Sequence, residues 1–317
     1  MRVLFRVDGD TATGLGHVTR CLNLARALDG EVLFASKGGS PGFHQVARHF
    51  ECLPCEDNGG LRAVLRRFRP DVVVVDLLGN SDRYLSGIEV PTVSLFDSSA
   101  ASPVSRGIVI NHNILQGPSH GPVFYLGPAY VIVSPAFRQE RPFAEQCRSI
   151  LVNSGGSDPY GLTLKVVAAL SSLDGLLTVV VGAACPDYEE LRRLERQRGF
   201  ALYHDVANDE MAALIRESDI VVTAGGNTLY ECAAAATPSI VVCHHHRHEE
   251  VAAAFAARGA AINLGVGQGL AGERVLGAVR LLMGDAGARR ELGQRAQSLV
   301  DGRGVERVAT LVQGVAG

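Results

Sequence analysis

Short apolar runs rich in β-branched residues alternate with helical patterns along the whole chain. Runs without polar alternation are typical of parallel strands that crossover helices cover on both faces. In the first half they predict strands over 3–8, 31–36, 51–54, 71–76, 92–97 and 108–111. In the second half they begin again at 149 and predict strands over 176–182, 201–206, 219–225, 239–244 and 260–265.

Helical patterns lie between these runs, at 17–28, 42–49 and 59–68, and the tail 270–317 predicts two or three amphipathic helices. A segment rich in proline and glycine, residues 112–143, separates the two halves and indicates a linker. The chain, at 317 residues, is also longer than one hydrophobic core usually serves.

We therefore predict an α/β protein with two Rossmann-like, doubly wound parallel-sheet domains, residues 1–140 and 148–317. The last helix could pack back on the first domain. Ligands of open α/β sheets bind beyond the carboxyl ends of the strands, so we expect the site in a cleft between the domains.

Composition narrows the class of protein. Apolar residues make up 47% of the chain, the net charge is −3, and no apolar stretch is long enough for a membrane span. The amino terminus enters a strand-like run with acids rather than a signal peptide, so we expect a cytoplasmic protein. No basic run occurs and aromatics are 6%, so we expect no nucleic-acid partner. The seven cysteines are scattered, and the lone Cys52/Cys55 pair predicts no redox or zinc site.

The stretch GLGHVTRCLNLARAL, residues 14–28, joins a glycine turn to a helical pattern. A dinucleotide-binding fingerprint needs a third glycine, where this chain has Thr19, and an acid after the second strand, where it has Ser36 and Lys37. The turn at Gly14 and Gly16 therefore does not predict NAD binding.

His17 falls in the first turn of this helix. Exposed N–H groups and the helix dipole disfavour positive charge there, so we expect a neutral imidazole that can act as a general base. Arg20, one turn later, could meet an anionic group such as a diphosphate. The alternative is a histidine that only caps the turn. Asp8 and Asp10 could orient His17 or contact a sugar hydroxyl, or could be solvated loop carboxylates; we count Asp8 as catalytic and Asp10 as sugar-binding.

Two glycine turns in the second domain precede helix starts and suit an anion, because backbone N–H groups are exposed there. A carboxylate one turn into the second of these helices could accept both hydroxyls of a ribose. Simple tight strand-to-helix junctions are the alternative. The predicted nucleotide-binding and diphosphate-binding residues of this domain are Gly155, Gly156, Ser157, Gly225, Gly226, Asn227, Thr228 and Glu231.

The histidine-rich stretch His244 to Glu249 offers nitrogen and oxygen ligands, but consecutive histidines on one loop rarely converge on a tetrahedral metal. We predict no metal and no cofactor. His248 and Glu249 are expected to begin a helix and to contact hydroxyl or acyl groups of a sugar.

Several motifs together carry a family resemblance. They are R-x-D and G-x-G-H-x-x-R-C-x-x-L-A between Arg6 and Ala25, VVVVDLLGNSDRYL, SLFDSS, GGSDP…LT at 155–163 and AGGNTLYE at 224–231. The set resembles the PseG/SpsG-like family, which includes the nucleotide-sugar hydrolase of pseudaminic acid biosynthesis and the spore-coat polysaccharide biosynthesis proteins. Both are similar to GT-B glycosyltransferases, so the resemblance implies a GT-B-like fold.

The resemblance also implies roles. His17 would be the catalytic acid/base, Gly16 would let the sugar diphosphate approach, Gly225–Thr228 would hold the pyrophosphate and Glu231 the ribose. The hydrolase releases UDP and a free acetamido deoxy sugar with inversion. Its pattern has an asparagine–glutamine pair where this chain has His244 to Glu249, which leaves the sugar and the acceptor open.

The prediction is an inverting UDP-sugar hydrolase of surface polysaccharide or nonulosonic acid biosynthesis, with a UDP-sugar as its partner. Two alternatives stay open: a GT-B glycosyltransferase that uses the same base on a sugar or lipid hydroxyl, and a non-catalytic nucleotide-sugar binding protein.

Overall fold

A computed structural model of the chain describes residues 1–10, 14–78, 80–97, 104, 106–115, 123–138, 143–156, 158–183 and 185–316, with only the backbone of Asp174. They divide into two compact units. The first is Met1–Ile132 with Arg303–Gly317, and the second is Val133–Gly302. The chain therefore leaves the first unit after Ile132, earlier than the sequence pattern suggested, and returns to it for its last helix.

Seven strands of the first unit form one parallel sheet in the order β3-β2-β1-β4-β5-β6-β7. They are β1 (Arg2–Val7), β2 (Glu31–Ser36), β3 (Cys52–Pro54), β4 (Val72–Asp76), β5 (Thr92–Phe96), β6 (Ile108–Asn111) and β7 (Val123–Leu126). The first six were predicted. The seventh strand, β7, was not predicted, because it is an edge strand of exposed and half-buried residues within the stretch that resembles a linker.

Helices cover both faces of this sheet, which explains the continuous apolar runs of its strands. The first four are α1 (Gly16–Arg26), α2 (Pro41–Ala47), α3 (Asn58–Phe68) and α4 (Asp82–Leu85). On one face, Val3 and Phe5 of β1 share a buried cluster with Val18 and Leu22 of α1.

Six strands of the second unit form another parallel sheet, in the order β10-β9-β8-β11-β12-β13. They are β8 (Ile150–Asn153), β9 (Leu177–Val181), β10 (Ala201–His204), β11 (Ile220–Thr223), β12 (Ser239–Cys243) and β13 (Ile262–Val266). The helices of this unit are α5 (Leu162–Ala169), α6 (Tyr188–Arg198), α7 (Asn208–Glu217), α8 (Asn227–Ala234), α9 (His246–Ala256), α10 (Gly272–Gly284) and α11 (Ala286–Leu299). The predicted parallel strands of this half are confirmed.

The last helix, α12 (Gly304–Ala316), belongs to the core of the first unit. Its buried residues Val305, Val308, Ala309 and Val312 follow the spacing of one helix face and pack in the same cluster as β1 and α1. None of the helices within the described ranges combines the length and the apolar character needed to cross a bilayer.

Candidate functional site

His17 lies in the first turn of α1, directly after the loop that follows β1. Gly14 of that loop has φ +76°, a conformation that favours glycine. The helix begins at Gly16 without a side-chain cap, and the His17 side chain is 15% exposed. The structure thus places this imidazole at the helix start that the sequence predicted.

The partner of His17 is Asp76, the last residue of β4. Its Oδ1 lies 2.6 Å from Nδ1 of His17, and its side chain is 1% exposed. Nη2 of Arg20 also lies 2.9 Å from Nδ1, but an ionised carboxylate only accepts hydrogen bonds, so the shorter contact with Asp76 assigns the proton to Nδ1. That tautomer leaves the lone pair on Nε2, as a general base requires.

Arg20, one turn along α1, fixes this carboxylate. Its Nε donates to Oδ2 of Asp76 and its Nη2 to Oδ1, both at 2.5 Å, and its Nη1 donates to Oδ2 of Asp97 at 2.8 Å. The expected contact of Arg20 with a diphosphate therefore needs correction. Its guanidinium is buried and bonded to two carboxylates, so it positions Asp76.

The buried charges stabilise one another. Burial alone would raise the pKa of Asp76, but Arg20 and His17 hold that pKa well below its usual range. Burial and the charge of Arg20 lower the pKa of His112, the residue after β6, to about 4. The cluster therefore contains an ionised Asp76 and a neutral His112 at neutral pH.

Asp97 follows β5 and is the more accessible carboxylate of the cluster. Its side chain is 43% exposed, and its Oδ2 lies 4.0 Å from Nε2 of His17. Its backbone carbonyl accepts a hydrogen bond from Nδ2 of Asn113 at 2.9 Å. Backbone and side chain of Asp97 are therefore both held.

The structure does not place Asp8 against His17, and a contact of Asp8 with a sugar hydroxyl stays a prediction. Its carboxylate receives Nη1 of Arg6 at 2.5 Å, Nη2 of Arg6 at 2.8 Å and the backbone N–H of Lys37 at 2.8 Å. Asp8 thus joins β1 to the end of β2, and Asp76 is the residue that orients His17. Asp10 makes an isolated β-bridge with Gly14, and its contact with a sugar stays a prediction.

Sequence reasoning missed Asp76 and Asp97 as site residues. Each acid stands where a buried strand ends, which was the available signal. The strand order decides which of these acids lie near His17, because β4 lies beside β1 and β5 lies beside β4. Acids distant in sequence therefore meet His17 at one edge of the sheet.

In the second unit, the turn between β11 and α8 is built for close approach. Gly225 has φ +88°, and Gly226 has φ +63° and ψ −147°, a conformation essentially restricted to glycine. No side chain of the capping residue closes the amino end of α8. Thr228 Oγ1 donates to Oδ1 of Asn153, a residue that sequence reasoning missed, at 3.4 Å. The first N–H groups of α8 therefore suit an anion.

Glu231 lies one turn further along α8 and is half-buried. Burial raises its pKa to about 7. No hydrogen bond or ion pair links its side chain to another of the described residues. A carboxylate in this state can accept hydroxyl donors from a ligand.

The turn between β8 and α5 differs from the turn between β11 and α8. The carboxylate of Asp158 accepts the N–H groups of Leu162 and Thr163, each at 2.8 Å, so the amino end of α5 is already occupied. A Cβ on Gly182 would clash with the backbone of Gly156, so these two glycines pack closely. Among the described residues, no atom beyond the chain neighbours lies within 4 Å of a Cβ built on Gly155 or Gly156, and the anion site expected there stays a prediction. Ser157 lies outside the described residues.

The histidine-rich stretch divides its contacts. His244 Nε2 lies 2.6 Å from the carbonyl oxygen of Ser154, and His245 caps α9. A Cβ built on Gly226 would lie 3.6 Å from the His248 ring, so that ring flanks the start of α8. Glu249 pairs instead with His246 at 3.0 Å. Sugar contacts of His248 and Glu249 stay predictions. Within the described ranges, no group of three or more His, Cys, Asp or Glu side chains is arranged to hold a metal.

Sequence comparison finds a relative along the whole chain. The chain is 29% identical over 339 residues to the spore coat polysaccharide biosynthesis protein SpsG of Bacillus subtilis (strain 168), with 99% of this chain and 98% of the relative covered. It is 27% identical over 259 residues to an uncharacterized protein of Methanocaldococcus jannaschii, covering 73% of this chain and 53% of that relative. No protein-family model matches. The predicted resemblance to the spore-coat polysaccharide proteins is confirmed.

Solved structures share the fold. MurG of Acinetobacter baumannii superposes with a TM-score of 0.72 at 15% identity, covering 99% of both chains. The glycosyltransferase VinC, solved with dTDP, gives 0.67 at 16% identity over 100% of this chain and 99% of VinC. The rhamnosyltransferase SpnG gives 0.66 at 18% identity over 98% of this chain and 100% of SpnG. The predicted GT-B-like fold is confirmed.

Proposed function

We propose that this chain, which resembles SpsG over its whole length and has a GT-B-like fold, transfers a sugar from a nucleotide diphosphate-sugar to a hydroxyl group in polysaccharide biosynthesis. One observation carries the proposal. Nδ1 of His17 lies 2.6 Å from Oδ1 of the buried, ionised Asp76 and donates a hydrogen bond to it, which leaves Nε2 as the acceptor nitrogen of the ring. The same base was expected from the sequence in both the hydrolase and the transferase hypotheses.

The proposed reaction forms one bond at the anomeric carbon and breaks another. The nucleophile oxygen forms a bond to the anomeric carbon as its proton passes to Nε2 of His17. The bond from that carbon to the diphosphate oxygen breaks, and its electron pair leaves with the nucleotide diphosphate. Asp76 stabilises the resulting imidazolium by charge, and Arg20 keeps Asp76 ionised and in place.

The second unit supplies the nucleotide site in this proposal. The amino end of α8 at Gly226–Thr228 receives the diphosphate, because its N–H groups point at the ligand and the helix dipole favours negative charge. Glu231 accepts the ribose hydroxyls. VinC was solved with dTDP and SpnG with thymidine diphosphate, so dTDP-sugars stand beside UDP-sugars as candidate donors.

Transfer is favoured over hydrolysis by the comparisons. SpsG is named for polysaccharide biosynthesis, and VinC and SpnG are named as transferases. The sequence predicted hydrolysis, the release of free sugar from a UDP-sugar. The following experiment distinguishes hydrolysis from transfer.

The experiment incubates the protein with UDP-, dTDP- and CMP-sugars, with and without hydroxyl acceptors, and follows free nucleotide, free sugar and glycoside. We expect the His17→Ala variant to lose about 10²- to 10⁴-fold in turnover while it still binds nucleotide. His49→Ala, at an exposed histidine, is the matched control and should retain turnover. Free sugar without any acceptor would favour the hydrolase, and unchanged turnover in His17→Ala would refute the proposal.

A further inference from the structure

Nε2 of His17 and Oδ2 of Asp97 form a pair of hydrogen-bond acceptors 4.0 Å apart. Nε2 accepts because Nδ1 carries the ring proton. The Asp97 carboxylate accepts because it is ionised. Because they lie only 4.0 Å apart, one small ligand can contact both.

Asp97 is fixed and charged in this position. Arg20 Nη1 donates to its Oδ2 at 2.8 Å, and Asn113 Nδ2 donates to its backbone carbonyl at 2.9 Å. Although burial opposes ionisation, the charge of Arg20 lowers the pKa of Asp97. Its Oδ1 makes no hydrogen bond to another residue in the part of the chain that the structure describes. The carboxylate is 43% exposed and can therefore receive a ligand.

The spacing of the two acceptors restricts the nucleophile. The two acceptors lie 4.0 Å apart. If one ligand oxygen donates a hydrogen bond of about 2.8 Å to each of them, the two hydrogen bonds enclose an angle of roughly 90°. The two O–H bonds of one water molecule open to a similar angle. Two adjacent hydroxyl groups of a sugar reach the same acceptors with one proton each.

A lone hydroxyl meets this pair poorly. It has a single proton, which it gives to Nε2, and its lone pairs then face the Asp97 carboxylate. As the proton transfers, the oxygen becomes more negative, and the nearby carboxylate repels it. A second donor removes this repulsion and adds a hydrogen bond to a charged group.

We propose that Nε2 of His17 and the carboxylate of Asp97 form a nucleophile site that requires two hydrogen-bond donors, so that Asp97 determines acceptor specificity. The donors belong either to one water molecule or to two adjacent hydroxyls of a sugar acceptor. The proposal rests on the proposed function, because it assigns the group that His17 deprotonates.

The test uses small alcohols with whichever UDP-, dTDP- or CMP-sugar is turned over. Ethylene glycol carries two adjacent hydroxyls, and 2-methoxyethanol is its matched partner with one hydroxyl blocked. We expect glycoside to form from ethylene glycol about tenfold or more faster, because one hydrogen bond to a charged group is lost with 2-methoxyethanol. Equal rates would overturn the proposal. Free sugar alone in every mixture would assign the two donors to water.

Variants of Asp97 distinguish an effect on acceptor preference from an effect on the structure around His17. In Asp97→Ala the preference for ethylene glycol should fall to near one, or, where water is the nucleophile, hydrolysis should slow about tenfold or more. Asp97→Asn retains an acceptor oxygen but loses the charge, so it should keep a smaller preference than the parent. If the substitution instead displaces Arg20, transfer to both alcohols should slow equally, and the Nδ1–H signal of His17 in ¹⁵N NMR should change. An unchanged preference or hydrolysis rate in Asp97→Ala would overturn the proposal.

A crystal structure of the protein without substrate tests the site independently of turnover. We expect an ordered water oxygen within about 3.2 Å of both Nε2 and a carboxylate oxygen of Asp97. Two ordered side chains without such an oxygen would overturn the proposal. If the bridging oxygen is present but no nucleotide-sugar is turned over, the proposed function fails while the two-acceptor site stands.

Discussion

Nδ1 of His17 and Oδ1 of Asp76 lie 2.6 Å apart and join the start of α1 to the end of β4. Asp76 also receives Nε and Nη2 of Arg20 and the thiol of Cys21, which lies 3.4 Å from Oδ2. A buried carboxylate with this many donors stays ionised and holds one tautomer of the imidazole. The tautomer of His17 is thus set by the cluster.

The first prediction concerns Asp76→Asn. The variant removes the charge that faces Arg20 and the imidazolium, so we expect turnover to fall about 10²- to 10⁴-fold. The buried Arg20 also loses its principal counter-charge, which should cost about 3–5 kcal/mol of unfolding free energy. Single-turnover assays and urea unfolding measure the two effects. Asp29→Asn, at an exposed acid, is the control, and equal losses in both variants would contradict the assignment.

The second prediction concerns stability and Glu231. Its pKa of about 7 in the folded protein lies above the ordinary glutamate value of about 4.3, so the folded state binds the proton more tightly. The stability that this group contributes is therefore present at pH 4 and is lost as the pH rises through 7. We expect Glu231→Gln to match the parent near pH 4 and to be more stable by about 1–2 kcal/mol at pH 8. Urea unfolding of both proteins at each pH measures the difference, and a constant difference would contradict the burial effect.

The third prediction concerns ligand binding by Glu231. If its carboxylate accepts the ribose hydroxyls, the ionised form binds better, so affinity for UDP-N-acetylglucosamine should rise about fivefold to tenfold between pH 6 and pH 8. This ligand is suitable because its diphosphate is a diester. Calorimetric titration measures the affinity. Glu231→Gln should bind more weakly with no such slope, and the same slope in both proteins would contradict the ribose role.

The fourth prediction concerns Gly226→Ala. The backbone at this glycine, φ +63° and ψ −147°, is unfavourable for alanine by about 1–3 kcal/mol. The new Cβ would also lie 3.6 Å from the His248 ring and narrow the approach to α8. We expect lower stability and at least about tenfold weaker nucleotide binding. The control is Gly277→Ala, since Gly277 lies inside α10 with no atom within 4 Å of its Cβ. Nucleotide affinity unchanged in Gly226→Ala would refute the anion site.

The fifth prediction concerns Asp158. Asp158→Ala removes the acceptor of two N–H groups at the start of α5 and should cost about 0.5–2 kcal/mol of stability. Nucleotide affinity should stay unchanged, because the diphosphate is assigned to α8. Asp158→Asn keeps one acceptor and tolerates the local φ of +38°, so it should be milder. Thermal unfolding measures the stability and nucleotide titration measures the affinity. A large loss of nucleotide affinity would instead indicate that the diphosphate binds at the turn between β8 and α5.

Several features followed from the sequence without any tertiary information. The order of every strand except β7, the parallel sheets and the position of His17 at a helix start were predicted. These depend on hydrophobic periodicity and on turn chemistry, which act over a few neighbouring residues. The free helix start at Gly225–Gly226 was likewise visible as a glycine pair after a buried strand.

Only the tertiary structure decided which groups meet. The sequence offered Asp8 as the partner of His17, but the strand order brings Asp76 beside it and commits Asp8 to Arg6. The same order turns Arg20 from a ligand contact into the support of Asp76. The physical reason is that apolar periodicity fixes each element separately, whereas the neighbours of a charge are set by the crossover order of distant strands, which no local pattern encodes.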